Sequence, residues 1–182
     1  MRVISGKARG TTLFPPEGNA VRPTTDFTKE NLFNIIQADV AGCVFLDLFA
    51  GCGGVGIEAL SRGAVRAVFV DNSQKSIDLV GRNLAKTRMT ANADVIKGEI
   101  PAVLTRLQGQ KFDLIFLDPP YAKGLATKTL EGILSADILA DDGYIIAEVA
   151  KEEDFAPCVG LEIFKTKVYS GSKLIFIGWG GE

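Results

Sequence analysis

The sequence predicts an α/β protein built on a mostly parallel β-sheet, and three observations lead to that prediction. From residue 44 onward, short apolar runs alternate with amphipathic segments, as in strands joined by helices. A glycine-rich loop at Gly51–Gly56 lies between the first apolar run and the helix that follows. The last two apolar runs are separated only by residues 170–172, so they must pair antiparallel. We therefore expect a parallel sheet covered by helices on both faces and completed by an antiparallel hairpin.

An N-terminal extension comes before the alternating pattern. Residues 2–5 and 11–14 are short extended runs on either side of a turn that contains two glycines. We interpret them as a small hairpin whose tip carries Lys7 and Arg9. A loop containing two prolines follows at residues 15–19. The sequence thus predicts a small cationic arm ahead of the first helix.

The remaining elements follow from hydrophobic periodicity and from turn residues. A first helix begins at Thr25 or Asp26, either of which can cap it. Its inward face is predicted to contain Leu32, Ile35, Ile36 and Val40. Strands are predicted at residues 44–49, 67–71, 93–97, 112–117, 143–150, 161–169 and 173–179. Helices are predicted between them at residues 55–61, 73–88, 100–108 and 125–136. In the helix at 73–88, the inward stripe is Ile77, Val80 and Leu84.

Length and composition predict one compact domain. The chain has 182 residues, of which 47% are hydrophobic and 23% are charged, enough for a substantial core. We predict a single domain over residues 1–182, with a basic extension at 1–25 and a helix-plus-sheet body at 26–182. No apolar run reaches the roughly 18 residues of a membrane helix, and no signal-peptide pattern follows Arg2. We therefore expect a cytoplasmic protein with no membrane partner.

Cysteine and histidine usage argues against a metal site. The three cysteines, Cys43, Cys52 and Cys158, are odd in number and lack CxxC spacing, and the chain has no histidine. We expect neither a disulfide framework nor a bound metal. Cys52 lies inside the glycine-rich loop, and we interpret it as a small apolar residue rather than a nucleophile.

The glycine-rich loop predicts a nucleotide-type ligand. Gly51, Gly53 and Gly56 have the G-x-G-x-x-G spacing between a strand and a helix, where backbone can approach a ligand closely. Asp71 ends the next strand, 20 residues after Gly51, a position suited to accepting hydrogen bonds from a ribose diol. Alternatively, Asp71 could serve as an N-cap of the helix that opens at Ser73. The glycine spacing alone is shared with nicotinamide and flavin enzymes.

A second motif lies at the end of the fourth predicted strand. Asp118-Pro119-Pro120-Tyr121 follows the apolar run at residues 112–117, at the edge of an α/β sheet where ligands bind. The prolines fix their own φ angles and remove two backbone donors. A carboxylate and an outward carbonyl can hold the two hydrogens of a planar amino group, and the aromatic ring can stack on a base. The alternative is a proline-rich turn with a helix cap. The four residues resemble the D/N-P-P-Y/F motif of amino-methyltransferases that use S-adenosylmethionine.

These motifs complete a resemblance that covers almost the whole chain. The chain resembles a Rossmann-like class I methyltransferase, whose seven-stranded sheet contains one reversed strand. The resemblance rests on the glycine-rich loop, the strand-end acid, the D-P-P-Y motif and the closing hairpin. Further segments resemble the RsmD family, which methylates the exocyclic amino group at position 2 of a guanine in small-subunit (16S) ribosomal RNA. Those segments are Arg2–Gly10, Arg22–Asp26, Glu30–Ile35, Leu46–Gly51 and Glu58–Ala64. The chain departs from the family at Phe27 and Thr28, where many members have a further basic residue.

The resemblance implies roles for individual residues. It implies S-adenosyl-L-methionine as cofactor, bound by Asp47, Gly51, Gly53, Gly56, Asp71 and Glu99. Glu99 matches the position that holds the adenine amino group. Alternatively, Glu99 could equally be only part of the first turn of the helix predicted at 100–108. The implied catalytic residues are Asp118, Pro119, Pro120 and Tyr121. Because these groups need only orient the amine and align it with the methyl donor, the absence of histidine is no obstacle. The target base would have to be flipped out or unpaired, with Tyr121 stacked on it.

Charge along the chain is consistent with a ribosomal RNA partner. Residues 1–25 contain four basic residues against Glu17 alone, a net charge of +3, whereas the whole chain has a net charge of −2. We predict that Lys7, Arg9 and Arg22 contact RNA phosphates. The alternative is that this arm is only a solvated cap on the sheet. The expected partner is ribosomal RNA or the small ribosomal subunit, and the protein is expected to act as a monomer.

Three other functions share part of this pattern. A DNA amino-methyltransferase would share the motif, but 182 residues leave no room for the usual target-recognition segment. A protein-glutamine methyltransferase characteristically has Asn where this chain has Asp118. A nicotinamide-binding protein or a non-enzymatic Rossmann module would use the glycines and Asp71 but leave the second motif without a role.

Overall fold

The structure is a computed structural model that describes residues 1–16, 26–120 and 124–181. Arg22, Thr25 and Tyr121 therefore lie outside the described residues. The chain divides into two compact units, Met1–Gly98 and Glu99–Glu182, each of which contains both strands and helix.

In the part of the first unit that the structure describes, three parallel strands alternate with three α-helices. Its helices are α1 (Asp26–Val40), α2 (Gly54–Ser61) and α3 (Gln74–Thr87). Its strands are β1 (Val44–Leu48), β2 (Arg66–Asp71) and β3 (Ala93–Lys97). Strand β2 pairs in parallel with both of the other strands. Residues 67–70 of β2 are completely buried, as expected for the middle strand of a parallel sheet covered on both faces.

The N-terminal arm forms a hairpin with little regular pairing. A single antiparallel bridge joins Arg2 to Thr12, and Val3 N–H donates to the Thr11 carbonyl at 2.9 Å. The positive φ angle of Gly6, +81°, allows the chain to turn sharply where its backbone approaches Ser61. The predicted hairpin is therefore confirmed, although it is a looped arm rather than two full strands.

Within residues 99–120 and 124–181, the second unit contains four strands and one α-helix. The strands are β4 (Phe112–Leu117), β5 (Leu139–Ala150), β6 (Leu161–Val168) and β7 (Ser172–Trp179), and the helix is α4 (Leu125–Ser135). Strand β4 pairs in parallel with β5, whereas β7 runs antiparallel to both β5 and β6. The turn between β6 and β7 is closed by Tyr169 N–H donating to the Ser172 carbonyl at 2.8 Å.

Four local predictions were wrong. In α3, Leu79 is buried where Ile77, which is half-buried, was expected. The helix predicted at 100–108 is a short 3-10 segment, Ala102–Leu107, because the stretch between Pro101 and Gly109 is too short for a stable α-helix. Strand β5 begins at Leu139 rather than at residue 143 and has a register irregularity opposite β4. In α1, Phe33 is buried where Ile35 was expected, since the buried stripe follows positions 29, 32, 33, 36 and 40.

The predicted fold class is confirmed. The strands of the first unit are parallel, and in the second unit β7 is the reversed strand of a mixed sheet. Among the described residues, no helix is long and apolar enough to cross a membrane.

Candidate functional site

The glycine-rich loop makes a sharp turn between β1 and α2. Gly51 and Gly53 have φ angles of +57° and +77°, in the left-handed region that side chains disfavour. Gly56 lies one turn into α2, where a Cβ atom would collide with the ring of Phe69. The predicted spacing therefore serves two purposes, the turn itself and the close packing of helix against strand. The loop has the shape that brings backbone N–H groups and a helix N-terminus to a ligand.

Asp47 supports this loop from the core. It is only 2% exposed, and its Oδ2 accepts a hydrogen bond of 2.9 Å from the backbone N–H of Gly56. A buried carboxylate that receives a backbone N–H near a helix N-terminus fixes that terminus. This geometry favours a positioning role for Asp47 toward the ligand-binding loop.

Asp71 ends β2 and contacts the loop as well. Its Oδ2 accepts a hydrogen bond of 2.9 Å from the Gly51 N–H, and its Oδ1 accepts one of 2.9 Å from the Ser73 N–H. The N-cap of α3 is Ser73, whose Oγ accepts from the Ser76 N–H at 3.4 Å. Asp71 is thus not the cap itself. Because each carboxylate oxygen has two acceptor positions, the half-buried Asp71 can still receive a ligand hydroxyl.

Asn83 connects the glycine-rich loop to the N-terminal arm. This fully buried amide donates from Nδ2 to the Cys52 carbonyl at 2.9 Å and to the Phe14 carbonyl at 3.2 Å. Its Oδ1 accepts from the Phe14 N–H at 2.8 Å. Sequence reasoning missed this residue, although an amide on the inward stripe of α3, between Val80 and Leu84, was a visible signal.

Glu58 on α2 anchors the start of the arm. Its buried carboxylate accepts hydrogen bonds from the Ile4 N–H at 2.8 Å and the Ser5 N–H at 3.0 Å. The Nε of Arg62 lies 2.8 Å from Oε1, and the Nζ of Lys29 lies 3.3 Å from Oε2. No local sequence pattern indicates these charges.

Lys29 is fully buried beside Glu58. Its Nζ also donates to the Arg2 carbonyl at 2.6 Å. Burial lowers the pKa of Lys29, while the charge of Glu58 partly offsets that effect. The lysine and the glutamate therefore depend on each other, and both hold the backbone of the arm.

Ser61 holds the tip of the arm, where the predicted RNA-binding cations lie. Its Oγ accepts from the Ala8 N–H at 2.9 Å and donates to the Ser5 carbonyl at 2.5 Å, while its own carbonyl accepts from the Lys7 N–H. The side chains of Lys7 and Arg9 are exposed. The third predicted cation, Arg22, lies outside the described residues.

A further cationic cluster surrounds Phe14 at the end of the arm. The guanidinium carbon of Arg82 lies 4.5 Å from the centroid of the Phe14 ring, and the Nζ of Lys86 lies 4.2 Å from it. Among the described residues, neither cation has a carboxylate oxygen within 4.0 Å. No local sequence pattern indicates this cluster, because it joins positions on α3 to a residue far away in sequence.

Cys52 contributes a buried thiol to the loop. Burial raises its pKa, so the reactive thiolate is disfavoured. This environment supports the interpretation of Cys52 as a packing residue. Among the described residues, no group of three or more acidic or cysteine side chains is arranged to hold a metal ion.

The second unit contains the D-P-P segment at the end of β4. Asp118 is half-buried, Pro119 is buried and Pro120 is exposed, while Tyr121 lies outside the described residues. The two-proline segment thus directly follows the carboxyl end of a parallel strand, as predicted. Glu99 is exposed near the start of the same unit, and its carbonyl accepts from the Val103 N–H at 2.8 Å.

Four features together define the class of protein. These are the strand pairing, the glycine-rich loop after β1, the acid that ends β2 and the D-P-P segment after β4. They are the features of a class I methyltransferase. The chain matches a solved structure from Escherichia coli called "Putative methyltransferase yhhF" at a TM-score of 0.88 and 30% identity, over 100% of this chain and 99% of that one.

Sequence comparisons narrow the class to one family. The chain belongs to the family described as Conserved hypothetical protein 95, which it matches over residues 1–178. It is 41% identical to "Putative rRNA methyltransferase YlbH" of Bacillus subtilis, over 88% of each chain. It is 34% identical to ribosomal RNA small subunit methyltransferase D of Escherichia coli, over 81% of this chain and 74% of that protein. The RsmD-type resemblance found in the sequence is therefore confirmed.

Proposed function

We propose that this protein transfers the methyl group of S-adenosylmethionine to the exocyclic amino group of a guanine in small-subunit ribosomal RNA. The observation that supports this most is the position of the D-P-P segment at the carboxyl end of β4, where a carboxylate and a carbonyl suit a planar amine. The name of the relative in Bacillus subtilis supports ribosomal RNA as the substrate, and that of the relative in Escherichia coli supports RNA of the small subunit. We also propose that the protein is cytoplasmic and acts as a monomer.

The residues of the first unit fit the cofactor. Gly51 and Gly53 let the loop turn sharply toward a ligand, and Gly56 supports that turn by letting α2 pack closely on Phe69. Asp71 can accept hydrogen bonds from a ribose diol while it braces the loop. Asp47 keeps the loop in shape through Gly56. The exposed carboxylate of Glu99 is proposed to accept a hydrogen bond from the adenine amino group. When bound, the cofactor supplies an electrophilic methyl group on a sulfonium.

Asp118 and the Pro119 carbonyl are proposed to act on the acceptor amine. Each accepts one of its two hydrogens, which fixes the orientation of the nitrogen lone pair. Orientation of this kind contributes up to roughly 7–11 kcal/mol in well-aligned reactions. As the N–CH₃ bond forms and the S–CH₃ bond breaks, the nitrogen becomes acidic and its proton passes to Asp118 or to water. Pro120 keeps the segment rigid, and Tyr121 is proposed to stack on the flipped base.

The N-terminal arm is proposed to bind the RNA backbone near the target. Lys7 and Arg9 are exposed at its tip, and Arg22 would add a third cation. Arg82 and Lys86 provide two more positive charges around Phe14, and an RNA phosphate could neutralise both. Because the arm is anchored on Glu58, Ser61 and Asn83, its cations are held in place before RNA arrives.

A comparison of acceptors and cofactors tests the proposal. The purified protein would be incubated with labelled S-adenosylmethionine and, separately, with small ribosomal subunits, free ribosomal RNA, DNA or a protein mixture. We expect label in the ribosomal samples only, and calorimetry should detect S-adenosylhomocysteine but not NAD. Label in DNA or protein would favour the other amino-methyltransferases. NAD binding without methyl transfer would favour a Rossmann module of another kind.

A further inference from the structure

A second carboxylate lies beside the acceptor motif in the structure of the second unit. Strands β4 and β5 are parallel neighbours, and Leu117 is in register with Ala147. The next residues along the two strands are Asp118 and Glu148. Parallel neighbours are about 4.8 Å apart, and residues at the same level of a sheet project to the same face. Extending this register by one residue brings the two acids to the same level, at the point where β4 ends.

Glu148 is set in an enclosed environment. Glu148 is only 8% exposed. Its neighbours along the strand, Ala147 and Val149, are 0% and 1% exposed. Tyr169, in the turn after β6, lies near it, and the pKa of Tyr169 is raised by burial and then by the charge of Glu148. Carboxylates are seldom this buried unless they have a defined function or partner. A buried acid at the same level of the sheet as Asp118 is suited to recognition of a second polar atom beside the proposed amine site.

We propose that Glu148 is a specificity-determining residue that accepts a hydrogen bond from N1–H of the target guanine. This inference rests on the proposed function. On guanine, N1–H and the exocyclic amino group are neighbouring donors on the Watson–Crick edge, which is the edge that flipped-base enzymes read. Asp118 would take the amino group and Glu148 the adjacent ring N–H. Two neighbouring carboxylates thus match two neighbouring donors.

The arrangement explains how the site would choose among purines. Adenine and 2-aminopurine have an unprotonated N1, which repels a carboxylate instead of donating to it. 2-Aminopurine still carries the amino group at position 2, so it separates recognition of N1–H from recognition of the amine. A hydrogen bond to a charged group is worth about 1.5–3 kcal/mol, which corresponds to a discrimination of roughly 10- to 150-fold.

The test uses the RNA in which the methylated guanine has been mapped, prepared with either guanine or 2-aminopurine at that position. For wild-type protein we expect kcat/KM for 2-aminopurine to be lower by roughly 10- to 150-fold. Glu148→Gln has nearly the same shape, but its amide can donate to an unprotonated N1. We expect this variant to lose activity on guanine and to reduce or reverse the preference between the two purines.

Controls separate this role from a structural one. Glu162→Gln, an exposed glutamate on β6 of the same unit, should keep the wild-type preference. If Glu148→Gln lowers both rates and leaves their ratio unchanged, as a fold defect would, the proposal is overturned. Equal wild-type rates on the two purines would also overturn it, and this measurement does not depend on any variant. Absence of wild-type transfer to guanine would instead contradict the proposed function.

Discussion

Asp71 and Asp118 are two strand-end carboxylates with different proposed ligands. Asp71 braces the glycine-rich loop through Gly51 and is proposed to bind the cofactor ribose. Asp118 follows β4 and is proposed to bind the acceptor amine. If this division is right, substitutions at the two positions should affect different steps of the reaction.

The first prediction concerns the acceptor step. Asp118→Ala should lower the single-turnover rate of methyl transfer by at least about 10²-fold, because the amine loses its orienting acceptor. S-adenosylmethionine binding, measured by calorimetry, should stay within a few-fold of wild type. A wild-type single-turnover rate in this variant would mean that Asp118 does not hold the amine.

The second prediction concerns the cofactor step. Asp71→Ala removes a charged acceptor, and we expect cofactor affinity to fall by roughly 1.5–3 kcal/mol in calorimetry. Asp78→Ala, an exposed acid on α3, is the matched control and should bind normally. If Asp71→Ala bound the cofactor as tightly as the control, Asp71 would serve only to support the backbone near Ser73.

Sequence reasoning located the chemically distinctive residues but not their supports. The glycines, Asp71 and Asp118 follow from motifs that are local in sequence. Asn83, Glu58 and Lys29 act on backbone groups that are 27 to 69 residues away, and no local pattern reveals such partners. Glu148 was overlooked for the same reason, because its position beside Asp118 depends on the register of two strands.

At the level of secondary-structure elements, the N-terminal arm and helix α2 form one anchored assembly. Glu58 and Ser61 together bind the backbone of residues 4, 5, 7 and 8. Six of the strands were predicted to within one residue at each end because apolar runs bounded by turn residues indicate them, whereas β5 begins four residues before its predicted start. The 3-10 segment at Ala102–Leu107 was wrongly predicted to be an α-helix, since a short apolar stretch does not distinguish the two.

The third prediction tests the anchor of the arm. Glu58→Ala leaves Lys29 buried without its carboxylate and removes the acceptor of two backbone N–H groups. We expect the free energy of unfolding, measured in urea, to fall by about 3–5 kcal/mol. Glu30→Ala, at an exposed position on α1, should change it by less than about 0.5 kcal/mol. An equally small change at Glu58 would show that the buried charges contribute little.

The fourth prediction tests RNA binding by the arm. Replacing Lys7 and Arg9 together by Ala should lower the slope of log K against log salt by about 1.5–2 units, because two phosphate contacts are lost. Cofactor affinity should not change. As a matched control, Lys165 and Lys167 on β6 in the second unit would be replaced together by Ala. A slope equal to that of the control would identify the arm as a solvated cap.

At the scale of the whole molecule, the fold class was predictable because the alternation of strands and helices spans the chain. The single domain over residues 1–182 stays a prediction, since the chain divides into two compact units. The substrate class followed from motifs together with a family resemblance, whereas the strand-order details and the supports of the arm required coordinates.

The most direct test of the proposed function is identification of the methylated nucleoside. Small ribosomal subunits that lack the modification would be incubated with the protein and labelled S-adenosylmethionine, and their RNA would be digested and analysed by mass spectrometry. We predict N2-methylguanosine at one position of the small-subunit RNA, and none with Asp118→Ala. Label on adenine, on a ring nitrogen of guanine or on ribosomal protein, or no label in the wild-type reaction, would contradict this account.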